Sequence, residues 1–290
     1  MDIKKAAGII TYNPDLFRLE ENVRAILSQI DTLIIVDNNS KDFESIKQLL
    51  NSYNRDIYYI QNNENVGVAK ALNDMVTKAL DLGLEWLLTL DQDSVVSDNL
   101  MGEYLKYVNN PDLGIITCRF IDRNTEDISH ISPIDNSNEW RCITSGSYMN
   151  LKVWKEIGGF FEPLFIDLVD YDYCYTLREH GYRILRLGTP YIIHEIGNSS
   201  RVILRGRPQI AFNHSPLRCY YMIRNAIPVA KRHHMWKEHI SYIIRRWTII
   251  NKFETNRLSK NKMMMIGLYH GLIGKLGRCQ IKSINNLCLK

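Results

Sequence analysis

The sequence predicts an α/β fold, with a mostly parallel central sheet flanked by helices, followed by a basic helical region at the C-terminus. Three observations predict it. Short apolar runs alternate with amphipathic segments through the first 110 residues, polar residues follow the apolar runs, and the sign of the charge changes near residue 200. Strands that alternate with helices form βαβ units, whose strands lie parallel in one sheet.

The first half of the chain contains four predicted strands and three predicted helices. Each apolar run is short and is followed by Asn, Asp or Pro, as is typical of buried strands. The segments between the runs have apolar residues at helical spacing. Strands are predicted at 6–11, 32–37, 57–61 and 85–90, and helices at 16–30, 42–53 and 66–82.

The second half is less regular. Gly158 and Gly181 are expected to end helices, because Gly is common just past a helix C-terminus. Strands are predicted at 114–120, 142–150, 183–187 and 191–194, helices at 151–158 and 170–180, and mostly helix from 215 onward. The predicted domains are a larger one at 1–200, with halves 1–110 and 111–200, and a basic helical region at 201–290.

Charge is unevenly distributed along the chain. Residues 1–200 contain 18 Lys and Arg against 30 Asp and Glu, whereas residues 201–290 contain 18 against 2. Such a basic region requires an anionic partner, such as phosphate groups, a membrane surface or a nucleic acid. The sequence shows neither an export signal nor a run of about 20 apolar residues, so we expect a cytoplasmic protein. The six cysteines form no CxxC pair, which argues against a zinc site.

Polar residues cluster where the predicted strands end, which is where open α/β sheets bind ligands. Asp91 and Asp93 directly follow the fourth strand. Two carboxylates one residue apart can share a hard divalent cation, and Mg²⁺ or Mn²⁺ prefers carboxylates together with phosphate oxygens. The alternative is that these residues only make turns and helix caps, for which Asn and Asp are well suited.

Seven motifs occur in a fixed order along about three quarters of the chain. They are TYNP at 11–14, IIVDNNS at 34–40, NNENVGVAKALN at 62–73, LLTLDQDS at 87–94, SGS at 145–147, GGFFEPLFIDLVDYDYC at 158–174 and SPLRCYYMIRN at 215–225. In content and order they resemble family 2 glycosyltransferases of the GT-A fold, which is Rossmann-like. The LDQDS form and the FID-VD segment are most similar to bacterial rhamnosyltransferases that use dTDP-L-rhamnose.

The resemblance implies a nucleotide-sugar donor, carried by dTDP or UDP, and a divalent metal, Mg²⁺ or Mn²⁺. Asp37 is expected to accept the base N3–H, because a carboxylate accepts from a thymine or uracil imide but cannot donate to cytosine or adenine. Asn65 and Gly67 open a helix, where backbone N–H groups favour anions. Nucleotide contacts are expected from Thr11, Asp37, Asn39, Asn65, Gly67 and Asp91, and metal contacts from Asp91, Asp93 and His194.

The resemblance also implies that Asp170 is the catalytic base. The family commonly has Glu-Asp-x-Asp in this segment, and here Val169 takes the place of the Glu. A carboxylate takes the proton of the acceptor hydroxyl as its oxygen attacks the anomeric carbon, and this single displacement inverts that centre. Asp167 is the alternative base, and Asp172 is a candidate to share the role. Asp170 and Asp172 also suit a helix N-terminus without any catalytic role.

Acceptors in this family are often lipid-diphosphate-linked glycans, and the basic region suits the surface of an anionic membrane. We therefore expect a peripheral protein at the cytoplasmic face of the cell membrane, acting in cell-surface polysaccharide synthesis such as that of O-antigen. A lipid-facing stripe is predicted from Ile240, Ile243, Ile244 and Trp247, which recur at helical spacing, with Arg245 and Arg246 beside it.

Other interpretations fit the sequence less well. A nicotinamide-dependent oxidoreductase would need a Gly-rich turn after the first strand, where this chain has Thr-Tyr-Asn-Pro at 11–14. Nucleic-acid binding is not expected, because the acidic first two thirds would repel phosphate backbones and no recognised motif occurs. Two alternatives stay open: the same fold with a UDP-hexose or UDP-galactofuranose donor, and a catalytically silent sugar-binding protein.

Overall fold

A computed structural model describes residues 3–53, 55–123, 134–194 and 199–280. The chain divides into two compact units. The first contains Met1–Phe160 and Tyr173–Glu195, and the second contains Phe161–Asp172 and Ile196–Lys290. The last ten residues of the predicted basic region lie outside the described residues.

The first unit begins with four parallel strands. They are β1 (Ala6–Thr11), β2 (Thr32–Asp37), β3 (Ile57–Gln61) and β4 (Trp86–Asp91), in the spatial order β3-β2-β1-β4. The connecting helices are α1 (Leu16–Leu27), α2 (Phe43–Asn51) and α3 (Val68–Asp81). The last five residues of β2 are all buried, as expected of a parallel strand covered on both faces. The predicted bounds of the first three strands are confirmed residue for residue.

The sheet continues with strands from the middle of the chain. These elements are β5 (Val95–Val96), α4 (Leu100–Leu105), β6 (Leu113–Asp122), β7 (Ser137–Glu139), β8 (Ser147–Asn150), α5 (Leu151–Ile157), α6 (Val169–Glu179) and β9 (Arg183–His194). Strand β8 is antiparallel to β4 and β6, whereas β9 runs parallel to β6. The predicted α/β class, with a large and mostly parallel central sheet flanked by helices, is confirmed.

Two strand predictions in this half need correction. The predicted strands 183–187 and 191–194 form one strand, β9, because Oδ1 of Asn136 accepts the N–H of Gly188 and so supports the backbone at the expected break. Strand β8 begins only at Ser147, five residues later than predicted. Gly146, with a φ of +79°, precedes it in a conformation that is not extended.

Besides Phe161–Asp172, the described part of the second unit contains a hairpin followed by three helices. The hairpin joins β10 (Ser200–Leu204) to β11 (Arg207–Ala211), and the helices are α7 (Pro216–Arg232), α8 (Trp236–Phe253) and α9 (Arg257–Leu272). The hairpin was not predicted. Its two-residue turn has positive φ at both Arg205 (+52°) and Gly206 (+73°), the geometry that suits the twist of paired strands. Of the helices in the described part of the chain, none combines the length and apolarity that a membrane span requires.

Candidate active site

Thr11 and Asp37 close the ends of two adjacent strands. The parallel register of β1 and β2 places them opposite each other. Oγ1 of Thr11 donates to Oδ1 of Asp37 at 2.9 Å, and Oδ2 of Asp37 accepts the N–H of Ser40 at 2.8 Å. Both side chains are fully buried. The pair therefore fixes the strand ends in this structure, and the base contact expected of Asp37 stays a prediction.

Asn38 connects β2 to the loop before α3. Its Nδ2 donates to Oδ1 of Asn65 at 3.2 Å and to the carbonyl of Gly67 at 3.3 Å, and its Oδ1 accepts the N–H of Val66 at 3.0 Å. Gly67 has a φ of +87°, which residues with a Cβ rarely adopt. Asn65 and Gly67 thus meet at the N-terminus of α3, where backbone N–H groups favour an anion. Asn39, in contrast, is exposed, with a φ of +69°.

The Asp-x-Asp turn that follows β4 is held by its backbone and by Gln92. The N–H of Asp91 donates to Oγ of Ser145 at 3.1 Å, and its carbonyl accepts Nδ2 of Asn22 at 2.6 Å. Oε1 of Gln92 accepts the N–H of Tyr12 at 2.8 Å, which ties this turn to the end of β1. These bonds fix the turn while the Asp91 side chain stays half exposed.

His194 ends β9 and lies against both carboxylates of this turn. Its Nδ1 is 3.1 Å from Oδ1 of Asp93 and 3.1 Å from Oγ of Ser94, and its Nε2 is 3.8 Å from Oδ2 of Asp91. Burial acts to lower the pKa of His194, but Asp93, Asp91 and Asp122 outweigh it and raise that pKa above its ordinary value. The structure therefore brings together the three residues from which the sequence predicts metal contacts.

The cluster of Asp91, Asp93 and His194 fits a divalent cation. Oδ1 of Asp93 is buried and has no hydrogen-bond partner among the described residues, an arrangement that is costly unless a positive charge faces the oxygen. Carboxylate and imidazole ligands suit Mn²⁺, and carboxylates suit Mg²⁺. Within the described ranges, no group of three or more His, Cys, Asp or Glu side chains is placed to hold a metal ion. A cation bound at Asp93 would therefore need further ligands, such as water and a diphosphate.

The segment that leads to Asp170, in the second unit, has a strained backbone. Phe165, Asp167 and Leu168 have φ values of +66°, +66° and +60°, in a stretch without glycine. Each such conformation costs on the order of 1–3 kcal/mol and persists only where surrounding contacts enforce it. Strain of this kind is typical of functional sites.

Two fully buried residues of α7 hold this segment in place. Nδ2 of Asn225 lies 3.0, 2.7 and 2.8 Å from the carbonyl oxygens of Leu164, Ile166 and Asp167. Arg224 donates to the same Leu164 carbonyl at 2.7 Å, and its Nε donates to Oδ1 of Asn225 at 2.8 Å. The Arg-Asn pair that ends the SPLRCYYMIRN motif therefore supports the strained backbone.

Two arginines of α7 pair with the carboxylates on either side of Asp170. Nε of Arg218 donates to Oδ1 of Asp167 at 3.1 Å, and Nε of Arg232 donates to Oδ1 of Asp172 at 2.9 Å. Positions 218, 225 and 232 are seven residues apart, so they lie on one face of the helix. The polar face of α7 therefore binds this segment at residues 164, 166, 167 and 172.

Asp170 itself lies in the first turn of α6. Its carboxylate is partly buried, and Oδ1 accepts the N–H of Tyr171 at 2.9 Å. The positive end of the helix dipole favours the ionised form that a general base requires. Arg218 and Arg232 engage the two alternative candidates, Asp167 and Asp172. The choice of Asp170 as the catalytic base stays a prediction.

Some supporting residues in each of the two units were missed from the sequence. Asn38 and Asn225 both lie inside quoted motifs, IIVDNNS and SPLRCYYMIRN, so membership of the motif was the available signal. Ser94 and Ser145, whose hydroxyl oxygens are 2.7 Å apart beside His194, also lie inside quoted motifs, LLTLDQDS and SGS. Small hydroxyl residues are common in turns, and only the fold shows that these two meet.

Several solved glycosyltransferase structures have the same architecture. The crystal structure of GalNAc-T7 with UDP, GalNAc and Mn²⁺ superposes with a TM-score of 0.62 at 11% identity, over 99% of this chain and 58% of that chain. The mannosyltransferase PcManGT from Pyrobaculum calidifontis, in complex with GDP-Man and Mn²⁺, gives 0.60 at 13% identity, over 99% and 79%. S. aureus TarS 1–349 with UDP-GlcNAc gives 0.56 at 13% identity, over 99% and 76%. The fold is that of the GT-A glycosyltransferases.

Sequence comparison identifies the family within that class. The chain belongs to glycosyl transferase family 2, whose sequence model matches residues 7–164, more than half of the chain. It is also similar to the dTDP-rhamnosyl transferase RfbF of Shigella flexneri, with 27% identity over 93% of this chain and 96% of that protein. The family expected from the motifs is therefore confirmed.

Proposed function

We propose that this family 2 glycosyltransferase transfers L-rhamnose from dTDP-L-rhamnose to a hydroxyl group of a glycan acceptor, with inversion of the anomeric centre. The observation that carries the proposal is the similarity to dTDP-rhamnosyl transferase RfbF along almost the full length of both chains. The cluster of Asp91, Asp93 and His194 supports the transferase chemistry, because it fits a divalent cation of the kind that a nucleotide diphosphate requires.

In this proposal the first unit binds the leaving nucleotide. Asp93, Asp91 and His194 would hold a Mg²⁺ or Mn²⁺ ion, and such an ion would supply positive charge to a departing diphosphate. Asn65 and Gly67 present the N-terminus of α3 to the nucleotide, and Thr11, Asp37 and Asn39 contribute further contacts. Asp37 selects thymine or uracil by accepting the N3–H.

Asp170 performs the proton transfer. Its carboxylate takes the proton of the acceptor hydroxyl while the oxygen attacks the anomeric carbon on the side opposite the diphosphate. Arg218 and Arg232 position the segment around it through Asp167 and Asp172, and Asn225 holds the preceding carbonyls. The acceptor is proposed to be a lipid-diphosphate-linked glycan, reached by a peripheral enzyme at the cytoplasmic face of the membrane.

The donor is tested by a panel of nucleotide sugars in the presence of Mn²⁺. A donor that binds the native protein at 100 times its Kd stabilises it by about 2.7 kcal/mol, which thermal unfolding detects. We expect dTDP-L-rhamnose to stabilise the protein and to give a glycosylated product with a lipid-linked acceptor fraction. Product from UDP-hexose or UDP-galactofuranose alone would keep the family and reject the rhamnose donor. Binding without turnover of any donor would indicate a silent sugar-binding protein.

A further inference from the structure

Helix α8 has two apolar sides, and only one of them is used inside the second unit. Ile249 and Ile250 are buried. Trp236, Ile240, Ile244 and Trp247 are exposed, with Ile244 at 59%. At 100° per residue these four lie within one sector of about 80°, next to the buried sector. Such a second apolar side is unusual for a helix on a soluble surface, where the side away from the core is normally polar.

Helix α9 shows the same feature. One side packs closely on α7: a Cβ added at Gly267 or Gly271 would lie 2.5 or 2.6 Å from the carbonyl oxygens of Tyr220 and Arg224. The opposite side carries large apolar residues at spacings of seven, four and three. They are Leu258, Met265, Tyr269 and Leu272, exposed by 88, 63, 60 and 65%. Because the glycine side of α9 packs closely on α7, this second side points away from α7.

Each of the two helices thus carries four exposed apolar residues, and we call the eight together the α8–α9 apolar surface: Trp236, Ile240, Ile244, Trp247, Leu258, Met265, Tyr269 and Leu272. Basic residues on the same helices accompany it. Lys237, Arg245, Lys252 and Lys262 are all exposed. The two acidic residues of the region differ, because Glu238 is exposed whereas Glu254 is buried. The partner of this surface must therefore be both apolar and anionic.

The predicted lipid-facing stripe on α8 needs correction, because Glu254 is buried and contacts two cations. Arg246, expected beside the lipid-facing stripe, is buried, and its guanidinium donates to Oε1 of Glu254 at 3.0 Å. Nζ of Lys260 donates to the other oxygen, Oε2, at 2.7 Å. Ile243, expected on the stripe, instead packs against an interior cluster with Ile250. The outward cation of the pair is therefore Arg245 alone.

We propose that the α8–α9 apolar surface inserts into the headgroup region of an anionic lipid bilayer, with Lys237, Arg245, Lys252 and Lys262 on the lipid headgroups. This deepens the peripheral location proposed above by assigning the residues that contact lipid. An interfacial helix buries one apolar side while its basic residues attract anionic lipid, which is the distribution found on α8. Self-association through this surface is disfavoured, because it would bring together two positively charged surfaces.

Sedimentation with lipid vesicles tests the proposal on the full chain. We compare the double variant Ile244→Ser/Trp247→Ser with the control Ile203→Ser, which removes an apolar residue that is 72% exposed on the hairpin of the same unit. Vesicles of phosphatidylcholine alone are compared with vesicles that contain phosphatidylglycerol. We expect wild type and Ile203→Ser to bind the anionic vesicles, and the double variant to bind them roughly tenfold or more weakly.

Charge is tested separately with Lys237→Gln/Arg245→Gln, which should lose binding at low salt and resemble wild type at high salt, where screening already weakens the attraction. Equal binding of the wild type to neutral and anionic vesicles, or unchanged binding by Ile244→Ser/Trp247→Ser, would overturn the proposal. A dimer that this variant dissociates would instead make the surface a protein interface. Thermal stabilisation by nucleotide sugars is measured on the same variants. A failure of the proposed transferase function would appear as loss of donor binding, and a failure of the lipid proposal would appear as loss of vesicle binding.

Discussion

Oδ1 of Asp93 lies 3.1 Å from Nδ1 of His194, and this buried oxygen accepts no hydrogen bond from the described part of the chain. Burial acts to lower the pKa of His194, but Asp93 raises that pKa, because its carboxylate stabilises the protonated ring. A divalent cation at the same point would take the carboxylate oxygen and the neutral imidazole as ligands. This pair, with Asp91, is the strongest physical support for metal-assisted departure of the diphosphate.

Asp93→Ala should therefore weaken donor binding only when a metal is present. We expect calorimetric titration with the donor and Mn²⁺ to show a loss of roughly tenfold or more in affinity, since an anchoring ligand is removed. The matched control is Asp98→Ala, an exposed carboxylate shortly after the same turn, which should bind like wild type. Full transfer activity in excess chelator would contradict the metal site and the role of His194.

Asp37→Asn separates two roles for a buried carboxylate. The amide can still accept from Thr11, but its NH₂ group faces a donor where the second oxygen accepted the Ser40 N–H. If Asp37 selects the base, the affinity for dTDP- and UDP-sugars should fall at least about tenfold. Separately, loss of the buried hydrogen bond should lower the free energy of unfolding by about 1–3 kcal/mol. Calorimetry and urea unfolding measure the two effects. Lower stability with unchanged donor affinity would make Asp37 a structural residue only.

Asn225→Ala should release the strained segment before Asp170. The carbonyl oxygens of Ile166 and Asp167 lose their buried donor, whereas that of Leu164 keeps Arg224, so we expect a loss of about 1–3 kcal/mol in the free energy of unfolding. We also expect kcat to fall while donor affinity is kept, because Asn225 positions the base and has no proposed contact with the nucleotide. Gln209→Ala is the control, since that amide donates to the carbonyl of its neighbour Pro208. Wild-type stability and kcat would contradict the positioning role.

The sequence predicted the first four strands well because local signals there agree with the fold. Apolar runs of strand length stop at Asn or Asp, and those residues mark the edge where Asp91 and Asp93 lie. His194 lies 101 residues beyond Asp93 in the sequence. The prediction that it reaches this turn came from the family resemblance and not from residue spacing. The structure supports it through the pairing of β9 with β6.

Other features depend on contacts that a linear pattern does not contain. The positive φ values before Asp170 persist because Asn225, some 60 residues later, supplies the donors. Helical spacing identified an apolar stripe on α8 but not which side was already covered. Arg246 is buried because Glu254, two turns further on, turns inward to meet it.

The central claim is that Asp170 acts as the base in transfer from a nucleotide sugar, and the rate of dTDP release tests it most directly. The assay contains dTDP-L-rhamnose, Mn²⁺ and a lipid-linked acceptor fraction, and compares wild type with Asp170→Asn and Asp167→Asn. We predict release that depends on acceptor and metal, and that falls by a factor on the order of 10²–10⁴ in Asp170→Asn with donor affinity unchanged. Near-normal release by Asp170→Asn, together with its loss in Asp167→Asn, would contradict the assignment of the base.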